Sequence, residues 1–165
     1  MSAIAIIGWG SLLWDLDNLT PFVQGDWAIN AGPRLPLEFS LVSRKRLGAL
    51  ALAIDEKHGA YSPSSIILSM HSDIVEARSN LAARERTALD GIGFIDLAQQ
   101  SDYSISLTTK TLISHGSSRA VSKEPSGPTH HLTLKTTPVN PSVWKMPNAI
   151  FILSANLLCV KPNAT

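Results

Sequence analysis

At 165 residues the chain is long enough for one domain to bury a hydrophobic core without disulfide or metal staples. Fourteen Lys and Arg against thirteen Asp and Glu leave a formal charge of +1, which argues against a nucleic-acid partner and against an acidic tail seeking a basic one. A lone cysteine, Cys159, excludes an internal disulfide and fits a reducing compartment; the apolar run at 3–13 does not read as a signal peptide and that at 149–160 is too short to span a membrane, so a cytoplasmic protein without a membrane partner is expected.

Residues 4–7 form a continuous apolar run and read as a buried strand. The run ends in Gly8, Trp9, Gly10, Ser11, Leu12 and Leu13. Glycine permits backbone conformations and close approaches that a β-carbon blocks, so Gly8 and Gly10 can leave N–H groups pointing at a bound anion. A dinucleotide fingerprint would need glycine at position 13, where Leu13 stands, and Pro21 follows where its helix should run. A tight turn without a ligand satisfies the same residues. The loop by itself does not choose between the two.

Residues 32–36 mark an irregular connection, and residues 37–42 and 47–54 read as strands joined by a basic turn at 43–46. Residues 65–70 read as a further strand. The clearest helix follows in DIVEARSNLAARERTAL, with Asp73 as its cap and Glu76 three residues on as a capping-box partner. With Ile74 at zero and 100° per residue, Ala77 lies at about −60°, Leu81 at about −20°, Ala88 at about −40° and Leu89 at about +60°, which defines one apolar face. Glu85 falls inside that face at about +20°, whereas Glu76 lies outside it at about −160°. A buried, unpaired carboxylate costs several kcal/mol. Three arrangements resolve this: Arg78 on the same face pairs with Glu85, the helix ends early and leaves Glu85 in water, or Glu85 faces a cavity as an acid/base group.

Residues 92–97 read as a strand, and residues 103–107 alternate as another. From residue 114 to 165 the composition changes: most of the ten prolines lie here among Ser and Thr, with little helical periodicity. This segment is expected to be irregular and loosely held outside its apolar run at 149–160. Adjacent His130 and His131 would point opposite ways in an extended segment and have no second ligand pair, so no metal is expected. The chain therefore divides into a domain at 1–113 and an atypical Pro/Ser/Thr-rich segment at 114–165.

A strand ending in Trp9-Gly10-Ser11-Leu12-Leu13-Trp14, followed several strands later by a helix carrying Leu81-Ala82-Ala83-Arg84-Glu85, resembles the gamma-glutamylcyclotransferase superfamily. In that family the opening motif is commonly Tyr-Gly-Ser-Leu, often continuing to Ile-Trp, and the catalytic acid lies in a Leu-x-x-Arg-Glu pattern. The stretches GPRLPLEFS and LGALALAID extend the resemblance, which covers residues 3–97. It implies an α+β fold, a small mixed β-barrel with flanking helices. It also implies cyclisation of a γ-glutamyl compound to 5-oxoproline with release of an amine or amino acid. Glu85 would be the catalytic acid/base, and Gly8, Trp9, Gly10, Ser11, Leu12 and Leu13 would bind the small-molecule γ-glutamyl substrate, with no cofactor and no metal. Trp9 stands where the family commonly has tyrosine, so a phenol hydrogen bond is missing there and only the backbone role carries over. The part after Leu97 departs from the family's C-terminal part. The alternative is a non-catalytic ligand-binding or interaction domain on the same fold.

Overall fold

β1 (Ile4–Gly8) is buried along its whole length, which explains its unbroken apolar run. Side chains alternate across a strand, so Ile4 and Ile6 enter one core while Ala5 and Ile7 enter another. The computed structural model describes residues 3–43, 47–103, 105–118 and 150–154.

β1 lies inside a six-stranded sheet. In spatial order the strands are β2 (Val23–Ala28), β6 (Ser65–Ser69), β1, β9 (Ile150–Ser154), β7 (Ile92–Asp96) and β8 (Ser101–Tyr103). β1 runs antiparallel to β6 and parallel to β9. A second sheet has the order β4 (Ala49–Ile54), β3 (Arg34–Ser43) and β5 (Ala60–Pro63).

Each face of the large sheet is covered. On one, Ala77, Leu81 and Ala82 of α1 (Ile74–Glu85) pack with Ile4, Ile6, Ile67, Ile92 and Ile152. On the other, Ala5, Ile7, Ile95, Phe151 and Leu153 join Leu35, Leu37 and Ile54 of the small sheet and Ile113 of α2 (Leu107–Ser118). The result is three layers with the six-stranded sheet in the middle.

The α+β class expected from the sequence is the one observed. The expected barrel is not seen: among the described residues the strands form two open sheets, and β2 and β8 end the larger one without pairing to each other. β8 is three exposed residues long. The strand expected at 103–107 is not formed as such: Tyr103 is the last residue of β8, and Leu107 is the first of α2. Ser106 starts a helix instead, its hydroxyl accepting the Thr109 N–H at 3.1 Å and its carbonyl the Lys110 N–H at 2.9 Å. β2 and β5 carry no sequence-based expectation.

α1 also stops short of Leu89. Arg86 takes the left-handed conformation (φ 54°, ψ 43°) and donates its N–H back to Ala82 and Ala83 carbonyls, a C-terminal cap that makes Glu85 the last helical residue. Within segment 114–165, residues 150–154 form β9 between β1 and β7, with Phe151, Ile152 and Leu153 buried. His130, His131, Cys159 and the basic residues 44–46 lie outside the described residues. No helix among the described residues is long and apolar enough to cross a membrane.

Candidate active site

β1 hands over to the glycine loop through Trp9, whose backbone is extended (φ −152°, ψ 171°), and a 3-10 turn follows at Gly10–Leu13. The Ser11 carbonyl closes this turn by accepting the N–H groups of Trp14 at 3.3 Å and Asp15 at 3.0 Å. A 3-10 turn leaves its first N–H groups without acceptors inside the turn, so backbone donors are concentrated at its start.

The two glycines serve different ends. Gly10 has φ +57°, a conformation unfavourable for residues with a β-carbon, and beyond its chain neighbours the nearest atom to an added Cβ is Leu52 Cβ at 3.8 Å. Conformation, rather than lack of space, requires glycine there. At Gly8 an added Cβ would stand 2.3 Å from Trp27 Cη2 and 3.2 Å from Leu12 Cδ2. Gly8 therefore seats an indole of the chain itself. Trp9 is buried, and its Nε1 donates to the Leu52 carbonyl of β4 at 3.0 Å. This bond ties the loop to the small sheet and occupies a carbonyl of an edge strand. Leu12 is buried in the α1-side core, while Gly10, Ser11 and Leu13 are partly accessible.

The Asp73 cap expected from the sequence forms, its carboxylate accepting the N–H groups of Val75 at 2.7 Å and Glu76 at 3.1 Å, while the expected capping-box contact from Glu76 does not. Glu76 turns to His71, with 3.0 Å between Oε2 and Nδ1, and the His71 ring stacks on Phe22. Arg78 is committed to β7: Nε donates to the Ile92 carbonyl at 3.0 Å and Nη2 donates to the Ile92 and Leu89 carbonyls at 2.8 and 2.9 Å. Its guanidinium also lies over Phe94 and Tyr103. Burial lowers its pKa from the ordinary arginine value, and Tyr103 opposes that shift. Arg78 thus staples α1 to β7 and β8.

Glu85, at the end of α1, is half-buried, with a side-chain exposure of 27%. The residue before it, Arg84, is 2% exposed. Arg84 Nε donates to the Asp15 carbonyl at 2.9 Å, and Nη2 donates to the same oxygen. Nη2 lies 3.5 Å from Asp15 Oδ2, and Nη1 lies 3.8 Å from Glu85 Oε1. One guanidinium is therefore shared by the end of the glycine loop and the candidate acid/base. Sequence reasoning placed Arg84 only inside a motif. The missed signal is its helical-wheel angle of about −80°, beside Ala77 at about −60°.

A separate cavity of about 360 Å³ is lined by Ile95, Asp96, Leu97, Gln100, Lys110 and Ser114. Asp96 pairs with Ile150, which pairs with Ile4, so this cavity lies at the opposite end of the sheet from the loop. Lys110 is ion-paired with Asp102, and Asp96 Oδ1 accepts the N–H groups of Ala98 and Gln99. Among the described residues no group of His, Cys, Asp and Glu is arranged to hold a metal ion. Comparison with family models, curated proteins and solved structures finds no match for the chain.

Proposed function

We propose that the chain is a gamma-glutamylcyclotransferase-like enzyme of the cytoplasm, cyclising a γ-glutamyl compound to 5-oxoproline and releasing its amine or amino acid. The observation that carries this reading is the junction at Arg84, which joins the half-buried Glu85 carboxylate to the end of the glycine loop. On this reading the two open sheets are part of a small mixed β-barrel.

The chemistry needs few groups. The substrate's α-amine attacks its own γ-carbonyl carbon, and Glu85 accepts the proton that the amine loses. Backbone N–H groups at the start of the 3-10 turn stabilise the oxyanion that forms on the carbonyl oxygen. Collapse of that intermediate breaks the bond from the γ-carbonyl carbon to the leaving nitrogen, and Glu85 returns its proton to that nitrogen. The ring closes intramolecularly, so holding both ends of the glutamyl moiety in the loop supplies much of the acceleration. On this reading proton transfer, orientation and oxyanion stabilisation are all assigned to the chain's own groups.

A panel of γ-glutamyl amino acids, peptides and amines incubated with the protein, with 5-oxoproline followed by mass spectrometry, tests the proposal. Enzyme-dependent 5-oxoproline from at least one member supports it. Absence across the panel refutes it. The alternative of a non-catalytic ligand-binding domain is favoured by Trp9, whose indole N–H is already engaged by the Leu52 carbonyl. It predicts saturable binding of a panel member with no 5-oxoproline.

A further inference from the structure

We propose that Arg84 is a positioning residue, whose guanidinium holds the Glu85 carboxylate in register with the end of the glycine loop. The inference rests on the cyclotransferase reading for its catalytic consequence and on geometry alone for the coupling itself.

A cation buried to 2% exposure is costly unless its donors are met. The partners of Arg84 are concentrated at two neighbouring points: the carbonyl and carboxylate of Asp15, and the carboxylate of Glu85. A guanidinium is a rigid plane. Its Nε and Nη2 are fixed on Asp15, and Nη1 stands 3.8 Å from Glu85 Oε1, an ion-pair rather than a hydrogen-bond separation, so a displacement of the loop moves the charge that faces the carboxylate.

Glu85 is the last residue of the helix, where a fixed charge beside it bears directly on its position. Arg86 reverses the chain immediately after it, so no further helical turn packs beyond it. A loop alone would not fix the distance between the bound glutamyl amine and Glu85, and a misplacement on the order of 1 Å at a reacting centre can cost about 10²-fold in rate. Lysine could keep a positive charge at position 84, but it has no plane with which to serve both partners.

Arg84→Lys and Arg84→Met, assayed on whichever panel member the wild type turns over fastest, separate positioning from general support. Positioning predicts a fall in kcat of about 10²-fold for both variants with KM within about threefold of wild type, and partial return of kcat when guanidinium is added to Arg84→Ala. A second measurement needs no turnover. In ¹⁵N spectra, Glu85→Gln should shift the amide signals of Ser11 to Asp15 in the wild-type background and leave them unmoved in the Arg84→Met background. If those shifts are the same in both backgrounds, or if Arg84→Lys keeps kcat within about threefold of wild type, Arg84 does not position Glu85. If the wild type makes no 5-oxoproline but the amide shifts depend on Arg84, the coupling stands and the cyclotransferase reading falls.

Discussion

Arg84, in the last turn of α1, and Asp15, at the end of the β1 loop, stand 69 residues apart in sequence and are joined by two hydrogen bonds from one guanidinium to one carbonyl oxygen. This is a tertiary tie between a buried ion and a backbone group, so it survives changes to the Asp15 side chain but not to Arg84. Arg84→Met keeps the apolar stem and removes every donor, and its expected cost is about 1–3 kcal/mol in urea unfolding. Asp15→Ala leaves the carbonyl in place and removes a half-exposed carboxylate 3.5 Å away, so it should cost less than about 1 kcal/mol. Equal losses in the two variants would place the strength of the tie in the ion pair.

Gly8 and Trp27 form a second pair whose fit is testable. A β-carbon on Gly8 would meet Trp27 Cη2 at 2.3 Å, closer than a carbon pair tolerates. Gly8→Ala is therefore expected to destabilise by about 1–3 kcal/mol through overpacking. In a Trp27→Leu background the same substitution should cost less than half as much, because the obstructing ring is gone. A double-mutant cycle by urea unfolding measures this, and full additivity would mean that Gly8 is required for some other reason.

Gly10 should respond differently, since space is open there and φ is +57°. Gly10→Ala is expected to cost about 1 kcal/mol and Gly10→Asn less, because asparagine enters this conformation more readily. Gly10→Val adds a branched side chain to the partly accessible face of the loop, and a loss of turnover with circular dichroism unchanged is expected. Retained turnover in Gly10→Val would remove the loop from the substrate's path.

The sequence made the central strands legible because they are buried on both faces: 4–7, 65–70 and 92–97 each coincide with a strand of the large sheet to within a residue or two. The start of α1 was legible from Asp73, whose capping chemistry is local. α2 was not, because its residues LTTKTLISHGSS carry few apolar side chains and its placement depends on Ser106 and on Ile113 reaching a core built by distant strands. β2 was hidden because VQGDWA is an edge strand with half its residues exposed and one buried. At the candidate site, the wheel position of Glu85 placed it toward the core, but the helix end at Arg86 leaves it half-buried. The contact between Arg84 and Asp15 has no local signature, since one partner is a backbone carbonyl.

The turn between β4 and β5 offers a pH test. The Asp55 carboxylate accepts the N–H groups of His58 and Lys57, each at 3.0 Å, and faces His58 Nδ1 at 3.3 Å. Its pKa is lowered from 3.8 chiefly by the His58 backbone N–H; burial opposes the shift, and the Lys57 N–H and the His58 side chain add to the lowering. A folded pKa below the unfolded one stabilises the protein above the unfolded value, and that contribution is lost as pH falls through the folded value. Asp55→Asn should therefore be less stable than wild type at neutral pH, with the gap closing as pH drops below 3.8. A gap independent of pH would show that the charge on Asp55 does not contribute.

The most direct measurement of the central proposal is 5-oxoproline release by the wild type and by Glu85→Gln, assayed together on the panel member turned over fastest. The amide keeps the shape of the side chain but cannot accept the amine proton, so a fall in kcat of about 10²–10⁴-fold is expected, with the unfolding midpoint close to wild type. A Glu85→Gln variant that folds normally and keeps most of the wild-type rate would contradict the assignment of Glu85 as the group that moves the proton.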